Sequence, residues 1–300
     1  MRDARILTDG LRFPEGPVVL PDGDLLVVEL LAGRLTRIAP DGTKATVAEL
    51  GGSPNGAALG PDGAGYVCNS GGYPFTELPD GMLLPFGPGG VTVDEHYIGG
   101  RIQRVDLATG EWTDLYTECE GVRLNGPNDL VFDAAGGFWF TDHGKRRLRD
   151  EDLGVLYHAT PDGRSITEVV PGLHAPNGVG LSPDGSRLYV AETHTARLLE
   201  WDVTGPGQVS GQRVLMRAPD QRLFDSLAVD ADGNICIGTL VEGGITVVSP
   251  DGSQELVRLE DDRLVTNLCF DGTTTYVTLA STGRVLVGEW PRPGLPLAWP

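Results

Sequence analysis

The sequence predicts an all-β fold, a six-bladed β-propeller with four-stranded blades. Three observations support this prediction: a polar motif that recurs six times, strand-like hydrophobic runs between glycine turns, and a repeat spacing near the length of one blade. Residues 1–300 are expected to form a single domain, because repeat arrays of this length commonly build one domain.

Each repeat begins with a polar residue, usually after proline, that opens a short hydrophobic run. These six residues are called the channel ring below: Glu15, Asn55, Asn128, Asn177, Asp225 and, in a looser copy, Asn267. In the first five copies a turn signal follows seven residues later: Asp22-Gly23, Asp62-Gly63, Ala135-Gly136, Asp184-Gly185 and Asp232-Gly233. Asn-Gly at 55–56 and 177–178 could instead be simple hairpin turns. The preceding proline and the fixed distance to the next turn favour the start of a strand.

The ring positions are separated by 40, 73, 49, 48 and 42 residues, which matches one four-stranded blade per interval, with one exception. The long interval contains a Gly/Pro-rich insertion at about 71–100, within the second blade. The sixth blade has strands near 265–270, 275–279 and 283–290, after which the chain ends. The strand around Ile6 and Leu7 is therefore expected to supply its outer edge, so that the N-terminal strand closes the ring.

Composition and charge exclude several classes of function. The net charge of −19 argues against nucleic acid and anionic membrane partners, because both require clustered Lys and Arg. No apolar segment resembles a signal peptide or a membrane span. The four cysteines lack metal-ligand spacing. A cytoplasmic location is the resulting prediction; the oligomeric state is left open.

The channel ring is the candidate site. The first strand of each propeller blade lines the central channel, so equivalent positions at its start surround one mouth. Two carboxylates and several amide oxygens there suit one divalent metal ion, with Ca²⁺ first and Zn²⁺, Mn²⁺, Mg²⁺ or Fe²⁺ also possible. The residue pattern leaves open which members of the ring touch the metal.

The sequence resembles the SMP-30/gluconolactonase family over nearly its whole length. The resemblance rests on four segments in series: Phe13-Pro14-Glu15-Gly16-Pro17, Gly126-Pro127-Asn128-Asp129-Leu130-Val131-Phe132-Asp133, Pro176-Asn177-Gly178-Val179-Gly180-Leu181-Ser182 and Asp225-Ser226-Leu227-Ala228-Val229-Asp230. It implies a propeller with one catalytic divalent metal in its channel. By motif, the implied metal ligands are Glu15, Asn128, Asn177 and Asp225.

The resemblance also implies a sugar lactonase, whose substrate would be a small-molecule lactone. A metal ion would polarise the lactone carbonyl and lower the pKa of a bound water, with Asp225 as general base. The expected substrate-binding residues are Arg123, Asn125, His143 and Asn55. His143 could instead be a surface loop residue near Lys145, Arg146 and Arg147.

One departure from the family affects the substrate more than the metal. Its sugar lactonases often carry arginine two residues before the second-motif asparagine, where this chain has Gly126. Arg123 and Asn125 could supply the arginine and the amide instead. Two other functions stay open: hydrolysis of a phosphotriester or another ester at the same metal, and a non-catalytic propeller that binds calcium or a protein partner. The insertion could roof the pocket or contact a second subunit.

Overall fold

A computed structural model describes residues 1–220, 222–259 and 262–299 of the chain. In these ranges, six four-stranded antiparallel sheets follow one another as the blades of a propeller. The predicted fold class is confirmed. In each blade the chain runs from the innermost strand outward, and neighbouring innermost strands contact one another around the channel.

The strands are numbered along the chain. β1 is Arg2–Thr8, and blade one comprises β2 Pro14–Val19, β3 Leu25–Glu29, β4 Arg34–Ile38 and β5 Lys44–Glu49. Blade two comprises β6 Pro54–Leu59 and β7 Gly65–Asn69, then the insertion with β8 Thr76–Glu77, β9 Leu83–Leu84 and a 3₁₀ turn at Pro88–Gly90, then β10 Arg101–Val105 and β11 Trp112–Tyr116. A short hairpin follows, formed by β12 Glu118–Cys119 and β13 Val122–Arg123.

The second half repeats the pattern without a long insertion. Blade three comprises β14 Pro127–Phe132, β15 Phe138–Asp142, β16 Gly154–Ala159 and β17 Ile166–Leu173. Blade four comprises β18 Pro176–Leu181, β19 Arg187–Glu192, β20 Arg197–Gly205 and β21 Gln208–Arg217. Blade five comprises β22 Leu223–Val229, β23 Ile235–Leu240, β24 Gly244–Val248 and β25 Gln254–Arg258. Blade six comprises β26 Val265–Asp271, β27 Thr274–Leu279 and, after a 3₁₀ turn at Ala280–Thr282, β28 Arg284–Glu289.

The N-terminal strand completes the sixth blade, as predicted. β1 pairs antiparallel with β28, so the sheet order in this blade is β1-β28-β27-β26. The first and last strands of the chain thus share one sheet, which closes the ring through backbone hydrogen bonds and removes an exposed edge from β28.

The recurrent glycine turns join the first and second strands of five blades. The glycines have φ angles between 68° and 88°, a region that other residues enter only with strain: Gly23, Gly63, Gly136, Gly185 and Gly233. This explains why the sequence repeats glycine there. Each second strand consequently returns to the end of the blade at which the first strand began.

The core lies between blades. Tyr66 of blade two packs edge-on against Phe132 of blade three, with ring centroids 5.0 Å apart, and also contacts Phe138 of blade three at 5.8 Å. All four cysteines are free thiols. In the described part of the chain, no helix is long and apolar enough to cross a membrane.

Candidate active site

Each of the six innermost strands carries its channel-ring residue at its second or third position, and each strand departs there from regular pairing. The irregularities lie between Glu15 and Val18, Pro54 and Gly56, Pro127 and Leu130, Pro176 and Val179, Phe224 and Leu227, and Val265 and Asn267. A bulge changes the direction of the side chains next to it. Strict alternation along the strand therefore does not apply at the ring.

Glycine follows the ring residue in three blades because the strands approach closely. A Cβ on Gly56 would lie 2.5 Å from the backbone oxygen of Asn128, and one on Gly178 would lie 2.5 Å from the backbone nitrogen of Leu227. Side chains at these positions would collide with the next blade. The glycine after the ring residue is therefore required because neighbouring innermost strands lie close together around the channel.

Glu15 is a buried carboxylate, with 2 % of its surface exposed. Its Oε2 accepts hydrogen bonds from the backbone nitrogen of Gly16 (2.8 Å) and from Nδ2 of Asn267 (2.9 Å). Burial raises the pKa of Glu15 to about 7, although hydrogen bonds from Thr266, Gly16 and Asn267 act in the opposite direction. The ionised form of a carboxyl group at this buried position is unfavourable unless a nearby cation balances its charge.

Asp225 is the partly accessible carboxylate of the ring. Burial and the negative charges of Glu15 and Asp129 raise its pKa well above the ordinary value, while a hydrogen bond from Asn177 lowers it. The Asn177 side chain is held on both sides, because its Oδ1 accepts from the Ser226 hydroxyl (3.3 Å) and its Nδ2 donates to Thr193 Oγ1 (3.2 Å).

Asn128 provides an unusual acceptor. Its side chain is 2 % exposed, and its Oδ1 has no hydrogen-bond partner. Buried polar atoms are nearly always paired, so an orphaned oxygen in a channel indicates an absent partner. Asn55, the ring residue of blade two, is also buried.

The donor set fits a hard divalent cation. Across residues 1–220, 222–259 and 262–299, no three His, Cys, Asp or Glu side chains group as a metal site. A site in the ring must therefore combine carboxylate with amide oxygens, which are ligands that Ca²⁺ accepts. A divalent ion would offset the mutual repulsion of Glu15 and Asp225 and would satisfy the orphaned oxygen of Asn128.

Asp129 is a channel residue that the sequence reasoning did not select. It is buried, its Oδ1 accepts from the backbone nitrogen of Leu130 (2.9 Å), and burial together with the charge of Glu15 raises its pKa to about 7. The bulge in β14 allows Asn128 and Asp129 to contribute to the same channel. The available signal was an aspartate where three other repeats have glycine.

The predicted substrate-binding residues lie in different environments. Asn125 is half-buried, and its backbone nitrogen donates to Asp142 Oδ2 (2.7 Å). His143 is half-buried, with its ring 5.7 Å from the ring of His194. Burial, followed by the charges of His194 and Lys145, lowers the pKa of His143 to about 3, so the imidazole is neutral at pH 7. Arg123 lies exposed on the β12–β13 hairpin.

The residues that end the second strands support the ring from outside. In four blades this residue accepts hydrogen bonds from the backbone nitrogens of the loop that leads into the same blade's first strand. The pairs are Glu29 with Arg12 (2.7 Å), Asn69 with Ser53 (3.1 Å), Asp142 with Asn125 and Gly126 (2.7 Å each), and Glu192 with His174 (2.9 Å). These side chains fix the loop directly before each ring residue.

A family model described as the SMP-30/Gluconolactonase/LRE-like region matches residues 13–281. The chain belongs to this family. The gluconolactonase of Zymomonas mobilis is 27 % identical over 296 residues, which cover 91 % of this chain and 78 % of that protein. The diisopropyl-fluorophosphatase of Loligo vulgaris is 26 % identical over 309 residues, covering 96 % and 92 %. The structure of regucalcin from Agrobacterium tumefaciens, described as a calcium-binding protein, superposes with a TM-score of 0.75 at 20 % identity and covers 97 % of this chain and 94 % of that one.

Proposed function

We propose that this protein is a divalent-metal-dependent hydrolase that opens a small lactone, with a sugar aldonolactone as the substrate, at the mouth of its channel. The observation that carries the proposal is the ring itself: Glu15 and Asp225 repel each other in a buried channel beside the orphaned oxygen of Asn128. The similarity to a gluconolactonase supports the choice of a lactone.

In this proposal Glu15, Asn128, Asn177 and Asp225 hold the metal. When bound, the ion supplies a Lewis acid for the lactone carbonyl and a water of lowered pKa. Ca²⁺ is the first choice because every proposed ligand is a hard oxygen, and the similar fold of a calcium-binding regucalcin supports that choice.

Asp225 is the proposed general base. It is the carboxylate of the ring with accessible surface, so it can accept a proton from a water in the channel. The neutral imidazole of His143 and the amides of Asn125 and Asn55 are proposed to bind hydroxyl groups of the lactone. Arg123 stays a candidate for the same role. The cytoplasmic location and the absence of nucleic-acid or membrane partners also stay predictions.

The test is turnover of a panel of aldonolactones by EDTA-treated protein, before and after addition of Ca²⁺, Mn²⁺, Zn²⁺, Mg²⁺ or Fe²⁺. We expect one metal to restore hydrolysis of at least one lactone. Asp225→Asn should reduce kcat by at least about 100-fold, the usual scale for loss of a general base, whereas the exposed Asp162→Asn should match the wild type. Full activity in Asp225→Asn would remove Asp225 from the mechanism.

The second candidate is hydrolysis of a phosphotriester or related ester at the same site. The similarity to a diisopropyl-fluorophosphatase, which extends over 96 % of the chain, supports this candidate. The same metal-loaded protein should then hydrolyse an organophosphate faster than any lactone. A non-catalytic calcium-binding propeller would instead bind one equivalent of metal and hydrolyse neither class.

A further inference from the structure

The insertion of blade two lies over the channel mouth and is called the roof segment, residues 71–100. Both ends of the roof segment lie at the channel mouth, because β7 ends at the mouth and β10 begins there. It contacts three other blades. Phe75 packs on Phe13 of blade one with centroids 5.3 Å apart, Leu83–Leu84 contacts the 3₁₀ turn Ala280–Thr282 of blade six, and the Thr92 hydroxyl accepts from the backbone nitrogen of Arg146 of blade three (2.8 Å).

Lys145 of blade three fastens the roof segment from below. Its Nζ donates to the backbone oxygen of Gly72 (2.9 Å) and lies 3.7 Å from the centroid of the Tyr73 ring and 5.3 Å from that of Tyr97. Only 3 % of its surface is exposed. Burial lowers the pKa of Lys145 to about 7, although Asp142, Asp94 and Asp152 oppose this shift. A buried ammonium group is not solvated by water, so the Gly72 oxygen and the face of the Tyr73 ring must stabilise it. These contacts hold the Lys145 side chain against the Tyr73 ring.

Tyr73 is fixed at a second point and directed toward the ring residues. Its backbone nitrogen donates to Ser53 Oγ (3.0 Å), two residues before Asn55. Its side chain contacts the side chain of Ser70, and the Ser70 hydroxyl donates to the backbone oxygen of Pro127 (2.8 Å). Pro127 directly precedes the ring residue Asn128. Burial raises the pKa of the Tyr73 phenol, and the negative charges of Asp225 and Asp142 raise it further.

We propose that Tyr73 is a specificity-determining residue, whose phenol hydrogen-bonds a hydroxyl group of a polyhydroxylated lactone while Lys145 holds its ring in place. The inference rests on the proposed function. A phenol both donates and accepts, as a sugar hydroxyl does. A site built to hydrogen-bond a hydroxyl discriminates strongly against analogues that lack it, because its own polar group is then left unpaired.

The decisive variant is Tyr73→Phe, which removes the hydroxyl and keeps the ring over Lys145. Two substrates are compared: glucono-δ-lactone, which carries hydroxyls, and δ-valerolactone, which carries none. We expect kcat/KM for glucono-δ-lactone to fall at least about tenfold, mainly through KM, as expected when one hydrogen bond to the substrate is lost and the partner hydroxyl is left unpaired. The value for δ-valerolactone should stay within about twofold. Tyr116→Phe, whose hydroxyl bonds the backbone oxygen of Thr160 on the outer side of the blades (2.7 Å), should change neither.

Lys145→Met provides an independent check, since it keeps the chain length and removes the charge. Hydrogen exchange of residues 71–100 should accelerate, and the preference for the hydroxylated lactone should fall as it does in Tyr73→Phe.

An unchanged or equally reduced kcat/KM for both lactones in Tyr73→Phe would overturn the proposal, whatever Lys145→Met does. If the metal-loaded wild type hydrolyses no lactone of the panel, the proposed function fails and this inference fails with it. Turnover by the wild type with unchanged discrimination in Tyr73→Phe defeats this inference alone.

Discussion

Glu15 shows how burial and charge conflict at a single residue of the channel. Its carboxyl is neutral below the pKa of about 7 in the folded protein, but it ionises near 4.5 in the unfolded chain. The raised value means that folding is favoured below pH 4.5 and that this contribution is lost as the pH rises to about 7. The difference of roughly 2.5 pH units corresponds to about 3 kcal/mol.

Glu15→Gln should therefore stabilise metal-free protein in a pH-dependent manner. Relative to the wild type, the free energy of unfolding should increase by up to about 3 kcal/mol between pH 4.5 and 7 and stay constant above that. Denaturation by urea at several pH values measures it, and the difference between variants cancels the titrations of His143 and Lys145. With saturating metal the order should reverse. A pH-independent difference would contradict the assigned cause.

Asn128 should affect metal binding without affecting stability, because its side-chain oxygen lacks a hydrogen-bond partner in the folded protein. Asn128→Ala should leave the stability of metal-free protein within about 1 kcal/mol of the wild type, since no hydrogen bond to Oδ1 is lost. The same change should weaken metal binding at least about tenfold, measured by calorimetry. Asn177→Ala is the comparison: it breaks contacts to Thr193 and Ser226, so it should lower stability and metal affinity together. Unaltered metal affinity in Asn128→Ala would remove that residue from the ligand set.

The sequence located the ring at residue level but not every side chain in the channel. Proline, a polar residue and a turn at fixed distance were sufficient for Glu15, Asn128 and Asn177. Asp225 follows phenylalanine, so only the polar residue and the turn at fixed distance indicated it. Asp129 was missed because strand alternation places it on the opposite face, and only the register irregularity in β14 brings it in. Such irregularities depend on pairing with the neighbouring strand, which no single repeat reveals.

Second strands contribute more than hydrophobic packing. Glu192 at the end of β19 is buried, accepts from the backbone nitrogen of His174, and is paired with Arg197 and Thr195. Glu29 in blade one is used in the same way, with Arg12, Arg34 and Thr36. Both residues end hydrophobic runs, so the sequence predicts that they lie at strand ends. Their role follows only from the fold, because the loop residues that they bind precede them by 17 or 18 residues.

Glu192→Ala should consequently act on the loop before Asn177 as well as on global stability. We expect the free energy of unfolding to fall by about 3 kcal/mol, the scale for removing one partner of a buried ion pair, and hydrogen exchange to become faster at the backbone amides of His174 and Ala175. Glu242→Ala removes a carboxylate paired with Arg258 at the surface and should cost less than about 1 kcal/mol. Equal effects of the two variants would show that the Glu192 contacts do not hold the loop.

For the whole molecule, the sequence predicted blade number and closure, because repeat spacing counts blades and the sixth repeat lacks a strand. It located the insertion but not its contacts. The residues that contact it, Phe13, Lys145 and Arg146, belong to other blades, and nothing in their sequence positions indicates a contact with the insertion. Contacts across a ring join segments with unrelated sequence, so they appear only once the blades are assembled.

Closure by β1 gives a test at the same scale. Deleting residues 1–8 leaves β28 as an open edge and removes Met1 and Ile6 from the hydrophobic cluster of blade six. We expect the free energy of unfolding to fall by more than about 3 kcal/mol, because loss of the two partly buried apolar side chains alone has that scale and the backbone hydrogen bonds to β28 are lost as well. Light scattering should show association through the exposed edge. Ile6→Ala keeps the strand, so it should cost about 1 kcal/mol and leave the protein unassociated. If the deletion were no worse than Ile6→Ala, closure would depend on side-chain packing rather than on the backbone ladder between β1 and β28.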